Sequence, residues 1–272
     1  QYLTSSWCLI TLCSRIGPKP QMPDDDSAAV GRLLDRLECQ PSSDLWEELE
    51  GLLVVEGECW FRDGFTALPA LARIAQSSGE KDRRQALDLA AAIVRTLHRN
   101  HLYDELVRAK SEAVATLHRL AQARLTDSGN LTLATLLQDT LAFAGYTFWA
   151  SISLDFTDEH YHIGCPHCST RLAIVIGEHG HYSAFRHYND GDIHRIPLKP
   201  ARPDEWTGIG RWMHDTAAAG GDVLLSEGLT YLFGQATCGL CSSIFNLADW
   251  FEAENSPHQP IDPIVARTDR ST

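Results

Sequence analysis

The chain has 272 residues, 44% of them hydrophobic, which is enough to bury one large core or two smaller ones and excludes a broadly disordered chain. Its formal charge is −13, carried as 20 acidic against 15 basic residues up to position 150 and 16 against 8 beyond it. Neither half has the basic footprint of a nucleic-acid binder, and no apolar run reaches the roughly 18 residues of a membrane-spanning helix. The expectations are therefore no nucleic acid, no membrane, a cytoplasmic location and a surface that favours basic partners.

Residues 1–21 read as an extension. Their apolar run precedes Arg15 and Lys19, the reverse of a signal peptide, and Met22 opens "MPDDDSAAVGRLL" like a natural start. From there to residue 150 the apolar period is helical. Val30, Leu33, Leu34 and Leu37 form one stripe, and Leu45, Leu49, Leu52 and Leu53 another, with Pro41-Ser42-Ser43 between them. Asp44 and Glu47 have the spacing of a capping box.

A third helix is expected over "RDGFTALPALARIAQ", kinked or started by Pro69. A fourth follows in "KDRRQALDLAAAIVRTLHRN", with Leu87, Ala90, Val94 and Leu97 inward. A fifth runs from Tyr103 to Arg124, and a sixth from Asn130 to about Phe148 with Leu133, Leu137 and Leu141 on one face. Helix pairs of this length recur in helical-repeat solenoids.

After Ser151 the texture changes. "LAIVI" at 172–176 and "HYSAFRHY" at 181–188 are β-prone, and Gly177-Glu178-His179-Gly180 reads as the turn of a hairpin. Helical period returns in "IGRWMHDTAAAG" and "DVLLSEGLTYLFG", joined at Gly220-Gly221. The expected organisation is an extension 1–21, a helical-repeat domain 22–150, a zinc-ribbon hairpin with a helical pair 151–254, and a flexible tail 255–272 with three prolines.

Two Cys-x-x-Cys pairs carry the chemistry. Cys165 and Cys168 are followed, 69 residues on, by Cys238 and Cys241. Each such turn aims two thiolates at one point, and two turns complete a tetrahedron. Gly164 and Gly239 suit tight turns there. An acidic chain without a signal peptide points to a reducing compartment, against disulfides. No α/β unit surrounds either pair, against a redox motif. An iron–sulfur cluster uses the same four thiolates and stays open; zinc is the expected cofactor. Four thiolates leave no open position for water, so the zinc is expected to be structural.

Histidines form a second candidate set: His160, His162, His167, His179, His181 and His187, with His194 after them. Their spacing matches no ligand pattern, and surface or packing roles are expected. A zinc-dependent enzyme using segment 160–194 is the alternative. Cys39 and Cys59, in helical surroundings, are expected to be buried thiols. Trp46, Trp60 and Phe61 are expected to pack between helices. The chain contains neither a Walker-type phosphate loop nor a G-x-S-x-G elbow.

"DLWEELEGLLVVEGECWFRDGFTALPALARIA" (Asp44–Ala75) resembles bacterial HEAT-like helical-repeat proteins, in which a Trp-Glu-Glu-Leu helix precedes an Ala-Leu-Pro helix. "IGCPHCSTRLAIVIGEHG" and "LTYLFGQATCGLCSSIFNLAD" look like a four-cysteine zinc ribbon fused to such a scaffold. The resemblance implies a mainly α fold, a HEAT-like α-solenoid with a small β-hairpin ribbon. It also implies a non-catalytic, protein-binding role of the immunity or antitoxin type, with a basic toxin as partner.

Overall fold

The computed structural model describes residues 21–55, 58, 59, 61, 64–99, 103–126, 132–146, 148–185 and 193–255. Cys8, Cys13, Trp60, His187, the turn at 127–130 and nearly all of the expected extension and tail lie outside them, as does the side chain of His160. The fold is mainly helical with a small antiparallel sheet. The described residues divide into two compact units, one of those up to 126 together with 138–152, the other of 132–137 and 153–255.

The first unit begins with α1 (Asp24–Cys39) and α2 (Ser43–Leu53). Val30, Leu33, Leu34 and Leu37 bury one stripe of α1, while Asp24, Asp25 and Asp26 place negative charge at its N-terminus. The cap of α2 differs from the capping box expected at Asp44. Ser42 is extended and its hydroxyl oxygen accepts the Leu45 N–H (3.4 Å), so the helix starts one residue before Asp44. The stripe keeps Cys39, the last residue of α1, off its buried face, and the thiol is exposed, not buried as expected. Cys59 is buried, but in a strand: β1 (Val54–Val55) pairs with β2 (Glu58–Cys59).

A 3-10 turn over Gly64–Ala67 leads into α3 (Leu68–Ser77). Pro69 sits in the first turn of α3, where its missing N–H has no intrahelical partner to lose. Next come α4 (Glu80–Arg99) and α5 (Tyr103–Arg124), whose backbone leaves helical values at Lys110, and then α6 (Leu133–Ala144). Arg83 of α4 donates to the Ala75 and Ser78 carbonyls at the end of α3, satisfying groups the helix cannot. Trp46 and Phe61 are buried; the Trp46 indole donates to Asp82 (2.9 Å) and ties α2 to α4. Asp139 of α6 is 2% exposed and receives the Arg95 guanidinium (2.5 Å).

The start of α6, up to Leu137, groups with the second unit. Leu133 explains this locally: its Cδ2 fills the space where a Cβ on Gly220 would lie. The second unit then builds a four-stranded antiparallel sheet in chain order: β3 (Asp158–Gly164), β4 (Arg171–Gly177), β5 (Gly180–Ala184) and β6 (Ile196–Pro197). Residues 172–176 of β4 are all buried, as expected of a strand covered on both faces. Tyr161 opposes Ile174 across β3 and β4. β3 was not expected from sequence, although Tyr161 and Ile163 are buried and His162 exposed with period two.

Helices α7 (Gly208–Ala219) and α8 (Val223–Leu232) pack as a pair. α8 lies against β4, and Gly228 gives up its side chain to admit the Phe156 ring. A second hairpin, β7 (Gln235–Thr237) and β8 (Ile244–Asn246), leads directly into α9 (Leu247–Asn255).

Candidate metal centre

Each cysteine pair sits at the turn of a hairpin, one between β3 and β4, the other between β7 and β8. The two turns are built alike. Cys165 N–H donates to the Thr170 carbonyl (2.8 Å), and Ser169 N–H to the Cys165 carbonyl (2.8 Å). Cys238 N–H donates to the Ser243 carbonyl (2.9 Å), and Ser242 N–H to the Cys238 carbonyl (2.8 Å). Ser169 and Ser242 both have φ of 59°, so the left-handed positions are taken by serines. Gly164 and Gly239 are not at them. Gly164 instead admits Glu254, and Gly239 the ring of Phe185.

The four sulfurs converge. Every ligand atom of Cys165, Cys168, Cys238 and Cys241 lies within 4.8 Å of the others. Cys165 meets Cys241 at 3.7 Å and Cys168 meets Cys238 at 3.7 Å, so each sulfur of one turn touches one of the other. A disulfide would bring sulfurs to about 2.05 Å; all four thiols are free. A metal about 2.3 Å from each of four sulfurs sets them about 3.8 Å apart. The arrangement fits a tetrahedral ion.

The environment sets three of the thiols apart. The Ser243 hydroxyl, 3.2 Å from Cys241 Sγ, and the Ser243 N–H bring that thiol down to about 6. The Thr170 hydroxyl (3.4 Å) and N–H lower Cys168 in the same way. Burial pushes Cys165 up to about 11, against the His167 N–H that donates to its sulfur (3.4 Å). Cys241 thus releases its proton most readily, while Cys165 needs the charge of a cation to release its own.

Helix α9 holds the first turn in place. The Gly164 N–H donates to both carboxylate oxygens of Glu254 (3.1 and 3.0 Å), and the Trp250 indole donates to the Gly164 carbonyl (2.6 Å). Phe251 packs edge-on against Tyr161 at 5.2 Å. The second turn is tied to the sheet by Ser183 of β5, whose hydroxyl donates to the Thr237 carbonyl (2.7 Å). None of these supports was expected from sequence. The matching Cys-x-x-Cys-Ser-Thr and Cys-x-x-Cys-Ser-Ser strings were a visible sign of the twin turns.

Among the described residues, no histidine joins the site: the candidate metal-binding group contains only the four cysteines. His167 is exposed within its turn, and His162 and His179 are exposed on β3 and in the β4–β5 turn. His181 is half-buried and stacks on Tyr231 at 3.8 Å and 11°; burial holds it below the usual histidine range.

Fold and site define a mainly helical protein whose second unit carries a paired-turn tetracysteine centre. Compared with known proteins, the chain matches no family model, no curated protein and no solved structure at a significant level.

Proposed function

We propose that this protein is a non-catalytic, metal-stapled binding scaffold: a HEAT-like helical solenoid joined to a ribbon held by one structural zinc, which binds a basic protein partner in the manner of an immunity protein or antitoxin. The closed set of four sulfurs, with cross-turn contacts of 3.7 Å, is the observation that carries it. Four thiolates saturate a tetrahedral ion and donate enough charge to make it a poor Lewis acid, so the chemistry left to it is stapling. Cysteine-only donors select zinc or iron over magnesium or calcium, and a single site of this size suits zinc. The formal charge of −13 supports a basic partner through complementary fields, and a nuclease-type toxin has that character.

Metal counting on the purified full chain tests the staple. About one zinc per chain is expected, unchanged when His162, His167, His179 and His181 are replaced together and lost when Cys168 and Cys238 are. A second metal that leaves with the histidines would favour a zinc enzyme using segment 160–194. For the partner, a tagged chain is expected to recover a basic protein in a complex that salt dissolves, and its deletion to sensitise the host to that protein. Recovery of only neutral or acidic proteins, with unchanged sensitivity, rejects the immunity reading.

A further inference from the structure

The second hairpin is a two-stranded sheet of its own, with β8 at an edge. Cys238 N–H donates to the Ser243 carbonyl, and Leu247 N–H to the Gly234 carbonyl. The alternation of an antiparallel ladder then turns Ser243, Phe245 and Leu247 toward β7, and the N–H and C=O of Ile244 and the N–H of Asn246 away from it, the Asn246 carbonyl standing at the start of α9. Among the described residues, β8 pairs with β7 alone. Such an edge is a template for another extended chain.

Side chains along this edge are also arranged for a visitor. Ile244 is 62% exposed and Leu240, at the tip of the turn, 66%. One step of the pleat further along, Asn246 lies on the same face as Ile244 and lines a cleft of about 580 Å³ with Lys199, Trp206, Phe233, Gln235 and Asp249. That volume is in the range that holds a large side chain and its neighbours. Its aromatic wall is Trp206 against Phe233, ring centres 5.5 Å apart, with Gly210 leaving room for Phe233. Its polar row runs from the Gln235 amide to Asn246 (3.4 Å) and from the Asn246 amide to Asp249 (3.1 Å).

We infer that the free edge of β8, together with this cleft, docks an extended segment of the basic partner as an added strand. The inference rests on the scaffold reading above and names the surface it uses. Main-chain groups at Ile244 and Asn246 recognise backbone, which selects a polypeptide in extended form. Side chains of the added strand alternate, so the one beside Asn246 enters the cleft and the one beside Ile244 meets the exposed apolar pair. Charge selects the partner. Residues 151–272 carry 16 acidic against 8 basic residues; α9, which follows β8, adds Asp249 and Glu252 beside the clamped Glu254, and in the cleft Lys199 and Arg202 are matched by Glu205 and Asp249. A second copy of this chain would bring the same net charge against itself.

Panning a phage library of random ten-residue peptides on the full-length, metal-loaded chain tests this. Enriched peptides are expected to carry Lys or Arg among alternating apolar residues. Ile244→Pro removes an outward N–H and leaves the β7–β8 ladder intact. With metal content unchanged, it is expected to weaken these peptides at least about tenfold, as is N-methylation of alternate peptide amides against the unmodified protein. Leu240→Glu, at an exposed site, is expected to alter affinity without touching the fold. An empty selection, enrichment of acidic peptides, or full binding to Ile244→Pro and by N-methylated peptides overturns the inference. So does self-association of the chain that Ile244→Pro abolishes, which would make the occupant a second copy. Capture of a basic protein that Ile244→Pro leaves intact keeps the scaffold reading and rejects only this surface.

Discussion

The two units solve the same problem with different means. The first is helical almost throughout, and its stripes of Leu, Ala, Ile and Val bury one another along α1, α3 and α4. Its one deeply buried charge among the described residues, Asp139, is answered by Arg95 with Asp88 and Arg124 nearby. The second sets short pieces, two strands of three residues, one of two, and turns that carry cysteines, beside the longer strands β3 and β4 and the helix pair. Hairpins this short do not hold themselves in water. Their geometry depends on what ties them, namely the sulfur cluster, Ser183 and the Trp250–Glu254 clamp. Both units bury apolar area; the second adds point attachments where its pieces are shortest.

The cysteines offer the hardest test of that contrast. Replacing Cys168 and Cys238 by Ser is expected to remove a metal contribution of about 10 kcal/mol to the second unit. Hydrogen exchange should then show β4, β5 and α8 losing protection while α3 and α4 keep theirs. Equal loss in both units would show that the metal supports the whole chain and dissolve the contrast.

Asp139 tests the other side. Burial raises it from 3.8 to about 6, with Arg95 acting in the opposite direction. A raised carboxyl favours the fold while protonated, so its contribution is full below about pH 4 and is lost as pH rises through 6. The shift corresponds to about 3 kcal/mol. Urea unfolding of the first unit, taken as wild type minus Asp139→Asn, should fall by about that amount between pH 4 and 7. A flat difference would mean that Arg95 compensates the carboxylate fully.

The smallest effect belongs to the clamp. Trp250→Phe keeps most of the ring and deletes the hydrogen bond to the Gly164 carbonyl. It should lower the stability of the second unit in urea by about 1 kcal/mol and leave the first unit unchanged. A shift in both units, or in neither, would show that α9 does not hold the first turn.

Legibility in the sequence followed the same divide. Long helices announce themselves through periodicity, and Val30, Leu33, Leu34 and Leu37, or Leu133, Leu137 and Leu141, are buried as their spacing indicated. Helical structure spans Tyr103–Arg124, the bounds expected for it, but is broken by a kink at Lys110 that the period did not announce. Short strands lack that signal: Gln235–Thr237 and Ile244–Asn246 are too brief for any period to emerge. Asp158–Gly164 was long enough, but its charged and histidine-rich start masked the alternation of Tyr161 and Ile163. Cys39 was misjudged because helical surroundings alone do not tell which face a residue takes.

The sequence by itself determined that four cysteines in two matched turns could form one tetrahedral set, because Cys-x-x-Cys spacing is a local property of the backbone. It determined the helical stripes for the same reason. Tertiary structure alone decided that Cys165 faces Cys241 and Cys168 faces Cys238, that Glu254 and Trp250 grip Gly164, and that Ile244 and Asn246 turn an unpaired edge outward. Those relations join residues up to 90 positions apart. No local rule encodes them; they arise where a sheet, a helix and two turns are packed against one another.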